Sequence, residues 1–151
     1  MPNYNVIKKA ETPTAIISLC SDGIMRAVYK KNSEIGPKEM QENIDAFNDL
    51  REKNYYPFLY STEDSSVVIN NEGLKYSKEN IDEMVPRICV AVFVKSLAHK
   101  LIANFYSRFT TQKYPYKVFT NYEAAEEWCL EQSKRHYTSK PNEPKTTSVL
   151  F

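Results

Sequence analysis

The sequence predicts an α/β fold: one mixed β-sheet, an antiparallel meander at its N-terminus with parallel βαβ units later, covered by about four helices. Three observations carry this. The chain opens with three β-rich segments, two of them joined by an Asp-Gly turn. The run Ile88 to Val94 is apolar with no polar alternation, the pattern of a strand buried on both faces. From Gly36 onward, segments of helical period alternate with strands, and that order requires right-handed parallel crossovers.

The elements follow in order. Asn5 to Lys9 is a short strand, and Thr14 to Cys20 is rich in branched residues. Ile24 to Lys30 sets Ile24, Arg26, Val28 and Lys30 on one face against Met25, Ala27 and Tyr29 on the other. Ser21-Asp22-Gly23 is the hairpin turn between them, with Gly23 supplying a positive φ. Gly36-Pro37 marks a helix start, because proline at the first helical position loses no hydrogen bond, and Met40, Ile44, Phe47 and Leu50 then recur on one face. A strand over Tyr56 to Ser61 precedes a polar loop, Thr62 to Ser66. Leu74, Ile81, Met84 and Val85 share a helical face whose start Gly73 leaves open. Ile88 to Val94 is predicted as the central strand. Ser96 caps a helix with Leu97, Leu101, Ile102, Phe105 and Phe109 on its apolar stripe. After a strand at Tyr116 to Phe119, Thr120 and Glu123 have the spacing of a capping box for a helix bearing Ala125, Trp128 and Cys129.

No repeat or linker divides the chain, so residues 1–133 are read as one domain and 134–151 as a polar C-terminal tail with Pro141 and Pro144. The tail ends in Val149-Leu150-Phe151, its one apolar cluster. These three side chains are expected to dock on a tyrosine-lined surface, of the same chain or across a homodimer, with the homodimer favoured because isologous pairs are the commonest assembly.

Composition narrows the function classes. The chain has 151 residues and a formal net charge of +1, so no electrostatic bias draws it to nucleic acid or to a membrane surface. Its three glycines are far apart, which excludes a P-loop and a Gly-x-Gly-x-x-Gly turn. Cys20, Cys89 and Cys129 lie in separate apolar runs, as small buried hydrophobes do in a reducing compartment, and a disulfide framework is not expected. His99 and His136 have no cysteine at ligand spacing, so no metal site is predicted, and no cofactor is expected. Lys8-Lys9 before Ala15 to Cys20 has the outline of a secretory signal, but the apolar stretch is too short and contains Ser18. It reads as an early strand. With no run long enough to span a bilayer, a cytoplasmic protein without an integral membrane segment is expected.

The order hairpin, helix, strand, helix, strand, helix, strand, helix resembles the STAS domain, the fold of bacterial anti-sigma-factor antagonists. Ala91 to Ser96, Asn104-Phe105-Tyr106, Pro115 to Thr120 and Glu123 to Trp128 resemble a group of uncharacterised bacterial proteins with a SpoIIAA-like, STAS or CRAL-TRIO type fold. The resemblance implies a SpoIIAA/STAS-like sandwich. In the anti-sigma antagonists an Asp-Ser-Ser-Gly type turn carries a phosphorylated serine; here Asp64-Ser65-Ser66 is followed by Val67, a stiff residue in place of the glycine. On that resemblance Ser65 and Ser66 are candidate phosphorylation sites, while ordinary loop chemistry also accounts for them.

Ligands of open α/β sheets bind at the C-terminal ends of the parallel strands, where Ser61 to Ser66, Lys95-Ser96 and Thr120-Asn121 are expected to converge. Helix capping by itself accounts for Ser96 and Thr120. His99 could serve as a base, but no nucleophile can be assigned to it, and no catalytic residue is predicted. Eleven tyrosines are the unusual feature of the composition. Tyr55, Tyr56, Tyr60, Tyr106, Tyr114, Tyr116 and Tyr122 fall near strand or helix ends, where an amphipathic ring can line a cleft, an interface or a sheet edge. The expected ligand or partner surface comprises Tyr60, Ser61, Lys95, Ser96, Tyr106, Tyr114, Tyr116 and Asn121. Two functions follow. The first is a non-enzymatic regulatory or protein-interaction module resembling STAS domains. The second is a binder of a small apolar ligand or lipid resembling CRAL-TRIO relatives.

Overall fold

The Ser21-Asp22-Gly23 turn forms as its residues require: Gly23 takes a φ of 86° and the Asp22 carboxylate accepts the Ile24 N–H at 3.1 Å. It joins β2 (Ala15–Cys20) to β3 (Met25–Tyr29), antiparallel, with Ile17 opposite Ala27. β1 (Val6–Glu11) runs antiparallel along the other side of β2. The structure, a computed structural model, describes residues 3–62, 67–84, 86–96 and 114–138.

After β4 (Glu34–Ile35), helix α1 (Pro37–Arg51) begins with proline at its first position, and the Glu39 side chain accepts the Gly36 N–H at 2.9 Å. Met40, Ile44, Phe47 and Leu50 are buried along it, as their spacing demands. β5 (Pro57–Thr62) lies parallel to β3, β7 (Cys89–Phe93) parallel to β5, and β8 (Tyr116–Phe119) parallel to β7. The result is a six-stranded mixed sheet in the order β1-β2-β3-β5-β7-β8. Its middle is therefore β3 and β5. β7, expected there, is interior but next to the last strand. Apolarity on both faces reports a neighbour on each side and cover above and below, which a penultimate strand also has.

A second sheet escapes the sequence. β4 pairs in parallel with β6 (Val68–Ile69), and strands of two residues are too short to show a period. This pair positions α2 (Asn71–Met84): the Asn70 side chain accepts the Gly73 N–H at 2.8 Å, so the helix starts just after Asn70. Gly73 is there for space. A Cβ on it would stand 2.2 Å from the Ile35 carbonyl oxygen.

Helix α3 (Tyr122–Thr138) starts one residue later than the capping box predicted. Asn121 is its cap, with its side-chain oxygen accepting the Ala124 N–H at 2.8 Å and its carbonyl accepting the Ala125 N–H at 3.1 Å. α3 continues through Thr138, past Lys134, where the sequence turns polar. Among the described residues there are three helices, and none is long and apolar enough to cross a membrane. The expected helix over 97–109 and the tail beyond 138 lie outside the described residues.

Helices cover both faces of the sheet. On one face Ile17, Met25, Ala27, Phe58 and Val90 pack with Met40, Ile44 and Phe47 of α1. On the other, Ile24, Leu59, Cys89 and Ala91 pack with Ala125 and Cys129 of α3. The α1 side also encloses a polar knot: Asn43 on the helix accepts from the Thr12 hydroxyl at 2.6 Å and donates to Thr14 at 3.1 Å. Each partner is buried and hydrogen-bonded, so the knot ties α1 to the turn between β1 and β2 without an orphaned polar group there.

Candidate functional site

Residues expected to form one surface separate into two groups. Ser61 near the end of β5, Lys95 and Ser96 after β7, and Asn121 after β8 stand at the C-terminal ends of the parallel strands. Of these, Asn121 is exposed and engaged as the cap of α3. The tyrosines go elsewhere. Tyr60, Tyr114 and Tyr116, with Tyr29, pack on the α1 face of the sheet, and Tyr114 precedes β8, at the N-terminal end of that strand. Tyr55 and Tyr122 pack on the α3 face. Ser65, Ser66, His99 and Tyr106 lie outside the described residues.

Strand register brings the first tyrosine group together. Phe58 and Tyr60 alternate to the same side of β5; Phe58 is opposite Val90, and Val90 is opposite Tyr116. The rings of Tyr29 and Tyr60 stack at 6.0 Å, and Phe47 meets Tyr60 edge-on at 5.8 Å. Burial pushes the Tyr29 hydroxyl well above its ordinary pKa, and it raises Tyr116 to about 12, each with a further push from Tyr60. Both hydroxyls therefore stay protonated at neutral pH.

Into this aromatic wall runs Arg87, from the segment just before β7. It is 7% exposed. Its Nη1 donates to the Tyr60 hydroxyl at 2.7 Å, and its guanidinium carbon lies 5.2 Å from the Phe58 ring centroid and 5.0 Å from that of Tyr114. Its Nε and Nη2 are buried with no hydrogen-bond partner among the described residues. Sequence reasoning missed Arg87. The available signal was a lone cation between Pro86 and the most apolar run of the chain.

The other buried arginine shows how this chain treats such a group when the purpose is structural. Arg26, 5% exposed, donates to both carboxylate oxygens of Asp22 at 3.0 and 2.9 Å, to Glu126 at 2.6 Å and to the Tyr122 hydroxyl at 3.2 Å. The Tyr4 ring lies 3.6 Å from its guanidinium carbon. Burial opposes the charge on Arg26, but the hydrogen bonds to Asp22 and Glu126 outweigh it and raise the pKa. This network fastens α3 to the β2–β3 hairpin across a hundred residues of sequence, and neither Asp22 nor Glu126 is a neighbour that periodicity could have named.

Cys20, Cys89 and Cys129 are buried and unpaired. Burial raises the Cys20 thiol, with Arg26 pulling the other way; contact with Cys89, then burial, raises Cys129. Native protein is therefore expected to react slowly with a thiol reagent, and denaturation without reductant to release three reactive thiols. A count below three would show a disulfide.

The family described as a domain of unknown function (DUF7793) has a model that matches residues 18–134. The matched span includes Arg26, the tyrosine wall and Arg87, and it omits β1. No curated protein and no solved structure matches the chain.

Proposed function

The chain belongs to the DUF7793 family, and from that premise we propose that it is a non-enzymatic binding module whose α1-side aromatic wall receives a small, largely apolar ligand. One observation carries the reading: a buried arginine with two unpartnered nitrogens stands among tyrosine and phenylalanine rings. An incompletely paired buried cation destabilises a fold by several kcal/mol relative to an apolar side chain of its size. Retention of such a group argues for use. Chemistry has less support, since the thiols of Cys20 and Cys129 and the hydroxyls of Tyr29 and Tyr116 are held protonated and are poor nucleophiles. A cytoplasmic location and the absence of a nucleic-acid partner belong to the same proposal.

The STAS-like reading, a regulatory module that pairs with a protein partner, is favoured by a different feature. β1 is the edge of the six-stranded sheet, and Val6 and Ile7 on it are 50% and 60% exposed. A second copy could add its own β1 there and extend the sheet. Lys8 and Lys9 on the same strand oppose such pairing.

Native mass spectrometry of the full chain separates the two. The ligand-binding reading expects a monomer carrying a small-molecule adduct that collisional activation removes. The pairing reading expects a dimer without one, and that result, together with no saturable binding of apolar probes, would overturn the first.

A further inference from the structure

We propose that the unpartnered edge of Arg87, its Nε and Nη2, is a receptor for the carboxylate of an apolar monocarboxylic acid. The inference rests on the ligand-binding reading above and names the chemical class of that ligand.

Geometry comes first. A guanidinium presents its donors as pairs along its edges, and Nε with Nη2 forms one complete edge with two parallel N–H groups. Those two nitrogens are the ones without a partner, while Nη1 is engaged by Tyr60. Two parallel N–H groups match the two oxygens of a carboxylate, which binds arginine through a pair of short, charge-assisted hydrogen bonds. The Phe58 and Tyr114 rings lie near the guanidinium, and the Tyr60 hydroxyl fixes one end of it, so its orientation is set before any ligand arrives.

Charge selects among oxyanions. Arg26 and Arg87 are the buried charged side chains among the described residues. Arg26 is matched by Asp22 and Glu126, whereas none of the ion pairs among the described residues includes Arg87. A single uncompensated guanidinium balances one negative charge. A carboxylate supplies one; a phosphate monoester supplies close to two and would leave an excess in a poorly solvated site. Among the described residues, the rings of Tyr29, Tyr60 and Tyr116 and the Val92 side chain pack on the same face of the sheet and suit a hydrocarbon or aryl body. Within the protein itself, Asp22 makes a two-point carboxylate contact of this kind on the Nη1–Nη2 edge of Arg26, and the ligand would make one on the Nε–Nη2 edge of Arg87.

The test is calorimetric titration of the full chain with octanoate, octan-1-ol and octyl phosphate, repeated for Arg87→Met and Arg87→Lys. Octanoate is expected to bind on the order of 10- to 100-fold more tightly than octan-1-ol, the factor that charge-assisted hydrogen bonds provide. Arg87→Met should bind octanoate no better than the alcohol. It should also melt on the order of 2–4 °C higher than the wild type, because a buried unpaired charge has been replaced by an apolar chain of similar volume. Arg87→Lys keeps the charge but not the edge, and should recover less than a tenth of the octanoate preference. A wild type that binds octanoate and octan-1-ol equally overturns the carboxylate assignment and leaves the ligand-binding reading standing. So does a preference for octyl phosphate over octanoate, or a preference for octanoate that survives Arg87→Met. A wild type that binds none of the three overturns both readings.

Discussion

Phe58→Ala is expected to destabilise the protein by about 3–5 kcal/mol, the range for emptying a fully enclosed aromatic site. Phe58 has no solvent exposure, and its ring lies 4.9 Å from that of Phe47 and 6.2 Å from that of Tyr60. It is the point at which β5, α1 and the tyrosine wall meet. A neighbouring side chain cannot collapse into the vacated space without leaving its own: Phe47 is anchored on α1, and Tyr60 is held by stacking on Tyr29 and by Arg87. Against a total stability of roughly 5–15 kcal/mol, the loss is large enough to show in a single urea titration as a fall in midpoint with little change in slope. A loss below about 1 kcal/mol would mean that this core is not packed as described. Because the Arg87 guanidinium also lies near this ring, the effects of Phe58→Ala and Arg87→Met are expected not to add. A double-mutant cycle reads that coupling.

Gly73→Ala is the second large effect, and its direction runs against helix propensity. At an ordinary helical position the change would stabilise by about 1 kcal/mol. Here the new methyl would stand 2.2 Å from the Ile35 carbonyl oxygen and 3.1 Å from the Gly36 Cα, which are backbone atoms that no rotamer can move aside. Relief requires either withdrawing α2 from β4 or breaking the Glu34–Ile35 pairing with Val68–Ile69. Either outcome is expected to lower stability by about 2–3 kcal/mol, near the upper end of overpacking penalties. Amide hydrogen exchange should show the change first at Val68 and Asn70, whose N–H groups bond the Ser33 and Ile35 carbonyls at 2.9 and 3.1 Å. An alanine variant as stable as the wild type, with these amides still protected, would contradict the close approach.

What the sequence determined by itself is local. Alternation along Ile24 to Lys30, the Asp-Gly turn, the Pro37 helix start, the spacing of Met40, Ile44, Phe47 and Leu50, and the strand at Tyr116 to Phe119 each depend on a few adjacent residues, and each can be read in the chain and found in the fold. The mixed sheet follows from the same signals, since a tight turn forces antiparallel pairing and a helical crossover permits parallel pairing. Even the capping error at α3 is small, because Thr120 and Asn121 are adjacent and both able to cap, and only the path of the backbone chooses between them. The tertiary structure decided everything that joins distant positions. Gly73 is a spacer only because β4 passes beside it, and Arg26, paired locally with Asp22, is tied to α3 only because Glu126 arrives a hundred residues later. The tyrosines appear in the sequence as a surplus without a place. Strand order divides them between two faces and sets one group around Arg87, a residue that no period or motif marks. Hydrophobic pattern is a property of neighbours in sequence, whereas the pairing or abandonment of a buried charge is a property of neighbours in space, and the candidate site of this protein is of the second kind.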